Sequence, residues 1–221
     1  SITTGDYNVG VGDSALTANT TGTDNTAVGR YSLYSNVSGS SNVAFGRDSL
    51  RNNVGSYNSA FGAYSLNTNS TGANNTANGY QALFSHTTGS SNTATGHTAL
   101  YNNTTGSVNT AIGRSALYSN TTGANNVATG YQALYANTTG STNTSVGRVA
   151  SYSNTTGSYN TAVGEGALYT ASTGSNNTAL GKAAGDNITT GGNNIIIGAN
   201  RDAPSAYASN QVVIGNIVKW N

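Results

Sequence analysis

Asparagine opens a block, with glycine four residues on, at twelve places: Asn8, Asn25, Asn42, Asn58, Asn75, Asn92, Asn109, Asn126, Asn143, Asn160, Asn177 and Asn194. All but one of the steps are 17 residues. A short fixed period of this kind belongs to stacked supersecondary units, each of which needs a neighbour to cover its apolar face. An α-solenoid is excluded, because its repeats need about 30 residues or more and cannot hold two glycines each.

Composition agrees with an ordered repeat. Only 7% of residues are charged, while 29 are Gly and 14 are Tyr. Disordered chains are rich in Pro, Glu and Lys and poor in aromatics. Here there is one Pro, Glu165 is the only Glu, and Gly, Asn and Ser recur at fixed phase as turn residues.

Counting from its Asn, the third position of each block holds Ala27, Ala44, Ala60, Ala77, Ala94, Ala111, Ala128, Ala162 and Ala179, with Gly10 and Ser145 as small exceptions. A column restricted to a methyl group or less is packed against something close. Its neighbours on either side belong to the opposite face of a strand. That face is mixed, with Phe45, Phe61, Ile112 and Leu180 beside Asn78, Thr95 and Thr129. Gly closes the strand in every block, which calls for positive φ or close backbone approach.

A second segment carries Ala or Ser and then Leu, as at Leu33, Leu50, Leu83, Leu117 and Leu168, usually followed by an aromatic residue such as Tyr101, Tyr118 or Tyr135. Leu reads as the core anchor, this segment as a second short strand, and the Tyr column as packing with the hydroxyl in water. The Asn-Thr-Thr-Gly stretch, as at Asn103 to Gly106, has the chemistry of a turn. The single shortened block supports this, because its missing residue falls here, at Asn53-Val54-Gly55. Two short strands and two Gly turns per 17 residues predict an all-β chain, a parallel β-solenoid of about twelve coils. Successive coils then lie about 4.8 Å apart in a rod about 58 Å long.

Each coil offers a thin core for a free-standing rod, so an oligomer is expected. Residues 1–193 read as the repeat and 194–221 as terminal rungs, a capping segment around Pro204 and a junction at Ile217 to Trp220. The start at Ser1, in mid-pattern, suggests a piece of a longer protein.

The Asn-Thr-Ala-Val-Gly of Asn25 to Gly29 and the recurring Gly-x-x-Ala-Leu-Tyr resemble the head repeats of trimeric autotransporter adhesins of the YadA type. They are closer to repeats of bacteriophage tail fibres, which commonly run out in segments like Asn194 to Gly198 and Asn210 to Asn216. The resemblance covers nearly the whole chain. It implies a left-handed β-roll, a homotrimer, and an extracellular fibre, virion tail or cell-surface appendage that displays an attachment surface. The adhesin heads repeat at about 14 residues, so this coil needs a longer turn.

No residue pattern points to catalysis, a cofactor or a metal site. His86 and His97 stand alone and read as surface substitutions, and the six Asp are scattered. A net charge of +1 draws in neither nucleic acid nor an anionic membrane, and no apolar run is long enough for membrane insertion. There is no Cys to staple the fold.

The residue after the strand-closing Gly behaves differently. Seven of the 15 charged residues occupy this column. It reads first as a solvated ridge. Its candidate receptor contacts are Arg30, Arg47, Tyr80, His97, Arg114, Tyr131, Arg148 and Lys182, facing a cell-surface glycan or other envelope receptor. The expected function is a non-enzymatic, adhesive fibre segment. The alternatives are an ice-binding solenoid, suggested by the Thr column from Thr26 to Thr178 but broken by Val43, Ser59 and Val127, and a mechanical spacer.

Overall fold

The computed structural model describes residues 4–215. The junction expected at Ile217 to Trp220 lies outside the described residues. Thirteen three-residue strands follow in chain order: β1 (Val9–Val11), β2 (Thr26–Val28), β3 (Val43–Phe45), β4 (Ser59–Phe61), β5 (Thr76–Asn78), β6 (Thr93–Thr95), β7 (Thr110–Ile112), β8 (Val127–Thr129), β9 (Thr144–Val146), β10 (Thr161–Val163), β11 (Thr178–Leu180), β12 (Ile195–Ile197) and β13 (Val212–Ile214). They form one parallel sheet in sequence order, so the chain is a β-solenoid. Pairing is in register, with Ala94 opposite Ala77 and Ala111. The shortened block causes no slip, since Ala44 still faces Ala60.

The second segment is not a strand. Leu33, Leu50, Leu66, Leu83, Leu100, Leu117, Leu134 and Leu168 all lie in the left-handed region, at φ between 47° and 53°. Left-handed backbone costs an L-residue roughly 1–2 kcal/mol, so something must hold it. Burial does so, because each of these leucines has 0% exposure. Hydrogen bonds add to it: the Leu100 N–H donates to Ala116 O of the next coil at 3.0 Å, and within the coil the Asn103 N–H donates to Leu100 O at 3.2 Å. Alternation of residue types could not reveal a tight corner stabilised from the next coil.

The interior is half polar. Asn25, Asn42, Asn58, Asn75, Asn92, Asn109 and Asn126, which open the blocks, are fully buried. Each side-chain oxygen accepts from the next coil: Asn92 Oδ1 takes the Asn109 N–H at 3.0 Å, and Asn109 Oδ1 takes the Asn126 N–H at 3.0 Å. Each amide Nδ2 reaches across its own coil to the turn glycine, as from Asn109 to Gly123 O at 2.8 Å. The turn asparagines form a second buried ladder. Asn120 Nδ2 donates to Asn103 Oδ1 at 2.7 Å and to Gly123 O at 2.9 Å. Two amide columns therefore share one carbonyl per coil, and the thin apolar core is supplemented by hydrogen bonds that a low-dielectric interior strengthens.

The deletion confirms which atoms matter. Asn53 Nδ2 still donates to Asn36 Oδ1 at 3.1 Å and to Gly55 O at 2.7 Å, while Val54 between them is exposed. The outer turn lost a residue and the inner ladder kept both of its members.

Glycine at the turn is required sterically. A Cβ on Gly106 would lie 2.4 Å from Gly123 O and 2.5 Å from Asn103 Oδ1.

The apolar core divides near β9, one cluster ending at Leu134 and the next beginning at Ala150. There Ser145 replaces Ala and Ser151 replaces Leu, and their buried hydroxyls bond each other at 2.8 Å. Ser145→Ala alone should destabilise by about 1–3 kcal/mol, because it strands the Ser151 hydroxyl. The double change Ser145→Ala, Ser151→Leu restores the residues of the neighbouring coils. It is expected to raise stability above the parent by about 1–3 kcal/mol of apolar burial. Urea unfolding of the three chains checks this, and a double variant weaker than Ser145→Ala would refute the cavity-filling account.

Candidate functional site

The strand-closing glycines build the ridge. Gly96, Gly113 and Gly130 have φ of 137°, 132° and 137°, turning the chain outward from the sheet so that the next residue is exposed. The ridge carbonyls then accept from the following coil, as where the Gln132 N–H donates to Arg114 O at 3.0 Å. Arg30, Arg47, Tyr80, His97, Arg114, Tyr131, Arg148 and Lys182 are all exposed and lie on successive coils along one line.

Their side chains contact one another. Arg30 pairs with Asp13 at 3.5 Å and lies over the Tyr31 ring at 4.6 Å. Arg47 approaches Asp48 at 3.7 Å, lies over Tyr64 and bonds its hydroxyl. Arg148 meets Glu165 at 2.9 Å, and Lys182 meets the same carboxylate at 3.7 Å. In the centre the chemistry changes. Tyr80 stacks on His97 with centroids 5.2 Å apart, and Arg114 lies over the Tyr131 ring at 5.8 Å. Exposed pairs of this kind contribute at most about 1 kcal/mol each, so the ridge is not what holds the fold together.

The aromatic column forms a second outer line. Phe84, Tyr101, Tyr118, Tyr135, Tyr152 and Tyr169 stack with centroids 5.1–5.3 Å apart and planes within 9°. Each ring spends its faces on its neighbours, leaving edges to the outside. Face-to-face stacking on a sugar is thereby confined to the ends of the column.

His86 corrects the surface assignment made from sequence. It is fully buried in the turn-asparagine ladder, where its neighbours one coil away on either side are Asn69 and Asn103. Nε2–H donates to Gly89 O at 2.7 Å and Nδ1 accepts from Asn103 Nδ2 at 3.0 Å. This fixes the neutral Nε2–H tautomer. Burial pushes its pKa below the ordinary value, outweighing the opposing hydrogen bonds. His97, in contrast, is exposed on the ridge. The Asn residues of the Asn-x-Thr sequons at Asn103, Asn120 and Asn137 have 0% exposure, which closes them to glycosylation in the folded rod.

No pocket opens among the described residues, and no group of three or more His, Cys, Asp or Glu side chains comes together there. Comparison with protein-family models, curated proteins and solved structures finds no match to this chain. The fold itself defines the class, an all-β parallel solenoid with an exposed side-chain ridge.

Proposed function

We propose that this chain is the β-roll of a non-enzymatic, homotrimeric fibre segment, extracellular and serving attachment to a cell surface. The observation that carries the reading is the outward face of the sheet. Val9, Val11, Phe45, Phe61, Ile112, Val146, Leu180, Ile195, Val212 and Ile214 are all exposed there, and Phe45 stacks on Phe61 at 5.5 Å. Apolar side chains recurring on one face of a rod, here on either side of a polar break at Thr76, Asn78, Thr93 and Thr95, are characteristic of an interaction surface. Copies of the same chain cover these side chains, because every copy has the same repeat. The ridge then faces outward, and contacts repeated in three chains combine through avidity.

Sedimentation of the purified chain should give a trimer, and the double change Phe45→Asp, Phe61→Asp should shift it to monomer with the coil still folded by circular dichroism. A parent chain that sediments as a monomer at micromolar concentration would overturn the reading.

The ice-binding alternative draws support from the register, which lines Thr93 up with Thr110 and Thr144 with Thr161 on the same outward face. Phe45 and Phe61 protrude from that face, and thermal hysteresis of the purified chain separates the two readings. The spacer alternative requires that the ridge contact nothing.

A further inference from the structure

The ridge is not uniform in charge. From residue 49 to residue 164 the chain contains no Asp and no Glu. Outside that stretch every ridge cation has a carboxylate at hand: Arg30 has Asp13, Arg47 has Asp48, and Lys182 has Glu165. Arg148, at the edge of the stretch, pairs with Glu165 at 2.9 Å. Arg114 forms no ion pair among the described residues. Glu165 lies three coils from Arg114 and Asp48 four coils away, roughly 14 and 19 Å at about 4.8 Å per coil. Both distances exceed the Debye length of about 8 Å at physiological salt, so the Arg114 charge is not compensated from within its own chain.

The surroundings of Arg114 are neutral and rich in hydrogen-bonding groups. Tyr131 lies beneath its guanidinium, and the Tyr80–His97 stack occupies the two preceding coils. Thr98 and Ser115 share a hydroxyl–hydroxyl contact of 3.0 Å beside it. A guanidinium presents a planar fork that fits a carboxylate with two parallel bonds. One isolated cation among phenols, an imidazole and hydroxyls does not suit a polyanion such as nucleic acid, whose binding depends on neutralising many phosphates. It suits a sugar polymer of low charge density.

Resting on the reading of the chain as an attachment fibre, we propose that the central ridge, Tyr80 to Tyr131, is a binding site for acidic glycans. Arg114 receives the sugar carboxylate, and the phenol and imidazole edges contact the flanking neutral sugars.

The test uses the full chain on a printed panel of sialylated and uronate-containing glycans, each beside its carboxyl-reduced counterpart, with hyaluronan in solution as the titrated probe. Binding to acidic members is expected, falling at least tenfold on carboxyl reduction and about tenfold in Arg114→Gln. Arg51→Gln, off the ridge and with its parent side chain already paired with Asp48 at 3.2 Å, should stay within twofold. Position 114 is exposed and equivalent to Ala63 and Tyr80 in other coils, so the substitution leaves the fold intact. Failure to bind any acidic glycan, equal binding of the reduced forms, or equal losses in Arg51→Gln and Arg114→Gln would overturn the proposal. Sedimentation and whole-cell binding of the same samples separate the two levels. A trimer that binds cells but no acidic glycan removes this site alone, whereas a monomer that binds no cell removes the fibre reading beneath it.

Discussion

Gly113→Ala is expected to lower the stability of the rod by about 3–5 kcal/mol, combining strain at a φ closed to side chains with forced backbone displacement. Gly113 has φ of 132°, and a Cβ there would lie 2.4 Å from Gly130 O and 2.7 Å from its carbonyl carbon. Neither atom can move without breaking the stacking of the next coil. The control is Gly166→Ala. Gly166 has φ of 67° with nothing within 4 Å of an added Cβ. The equivalent residues in other coils, such as Ser115 and Gln132, already hold side chains at φ of 55° and 52°. Its change should not exceed about 1 kcal/mol, since lost unfolded-state entropy offsets left-handed strain. Urea unfolding measures both, and amide exchange shows whether the loss spreads outward from the altered coil, as nearest-neighbour coupling in a solenoid requires. Similar costs for the two substitutions would contradict the close-approach argument.

The second large effect is a gain. His86→Asn should stabilise the chain by about 1–3 kcal/mol at neutral pH, the cost of an unsatisfied buried acceptor. The present histidine spends its one N–H on Gly89, so the buried Asn69 Oδ1 has no donor. An asparagine has two amide hydrogens and serves both. The same orphan appears at Asn154 Oδ1, where the ladder ends against Ala171.

His86 also makes the rod acid-sensitive. With its folded pKa lowered, the unfolded state binds the proton more readily, so stability rises with pH through this range. The neutral-histidine contribution is complete above the unfolded value of about 6.5 and is lost progressively as pH falls from there toward the lowered folded value. Protonation would aim Nδ1–H at the Asn103 amide donor. In His86→Asn the dependence of unfolding on pH between about 6.5 and 5 should flatten, so the gain over the parent widens with acid. An unchanged pH profile would show that His86 is not the titrating group.

Much of the architecture was legible in the spacing. The 17-residue period set the coil, the Ala column set the inward side of the strand, and the recurring Gly after it called for positive φ or close approach, of which the structure has both. The shortened block located the outer turn. The ridge was legible as a column, because seven of the 15 charged residues gather in it.

What the spacing hid was the inside of the coil. Asn is a turn residue by local chemistry, and its burial in two continuous ladders depends on partners 17 residues away in each direction. His86 was misplaced for the same reason, because a lone histidine among asparagines reads as surface unless the column is known to face inward. Leucine followed by tyrosine reads as strand, yet the left-handed corner at Leu100 is held by burial of the side chain and by the Ala116 carbonyl of the next coil, which receives its N–H.

The sequence by itself thus determined the repeat, the parallel stacking and the line of variable side chains. Tertiary structure decided the rest, namely which polar residues point inward, which backbone corners are held left-handed, and which ridge cations are already matched by a carboxylate. The physical reason is the same in each case. Period and residue type are local properties of the chain, whereas satisfaction of a buried amide, a strained φ or a surface charge is a relation between coils and is fixed only when they stack.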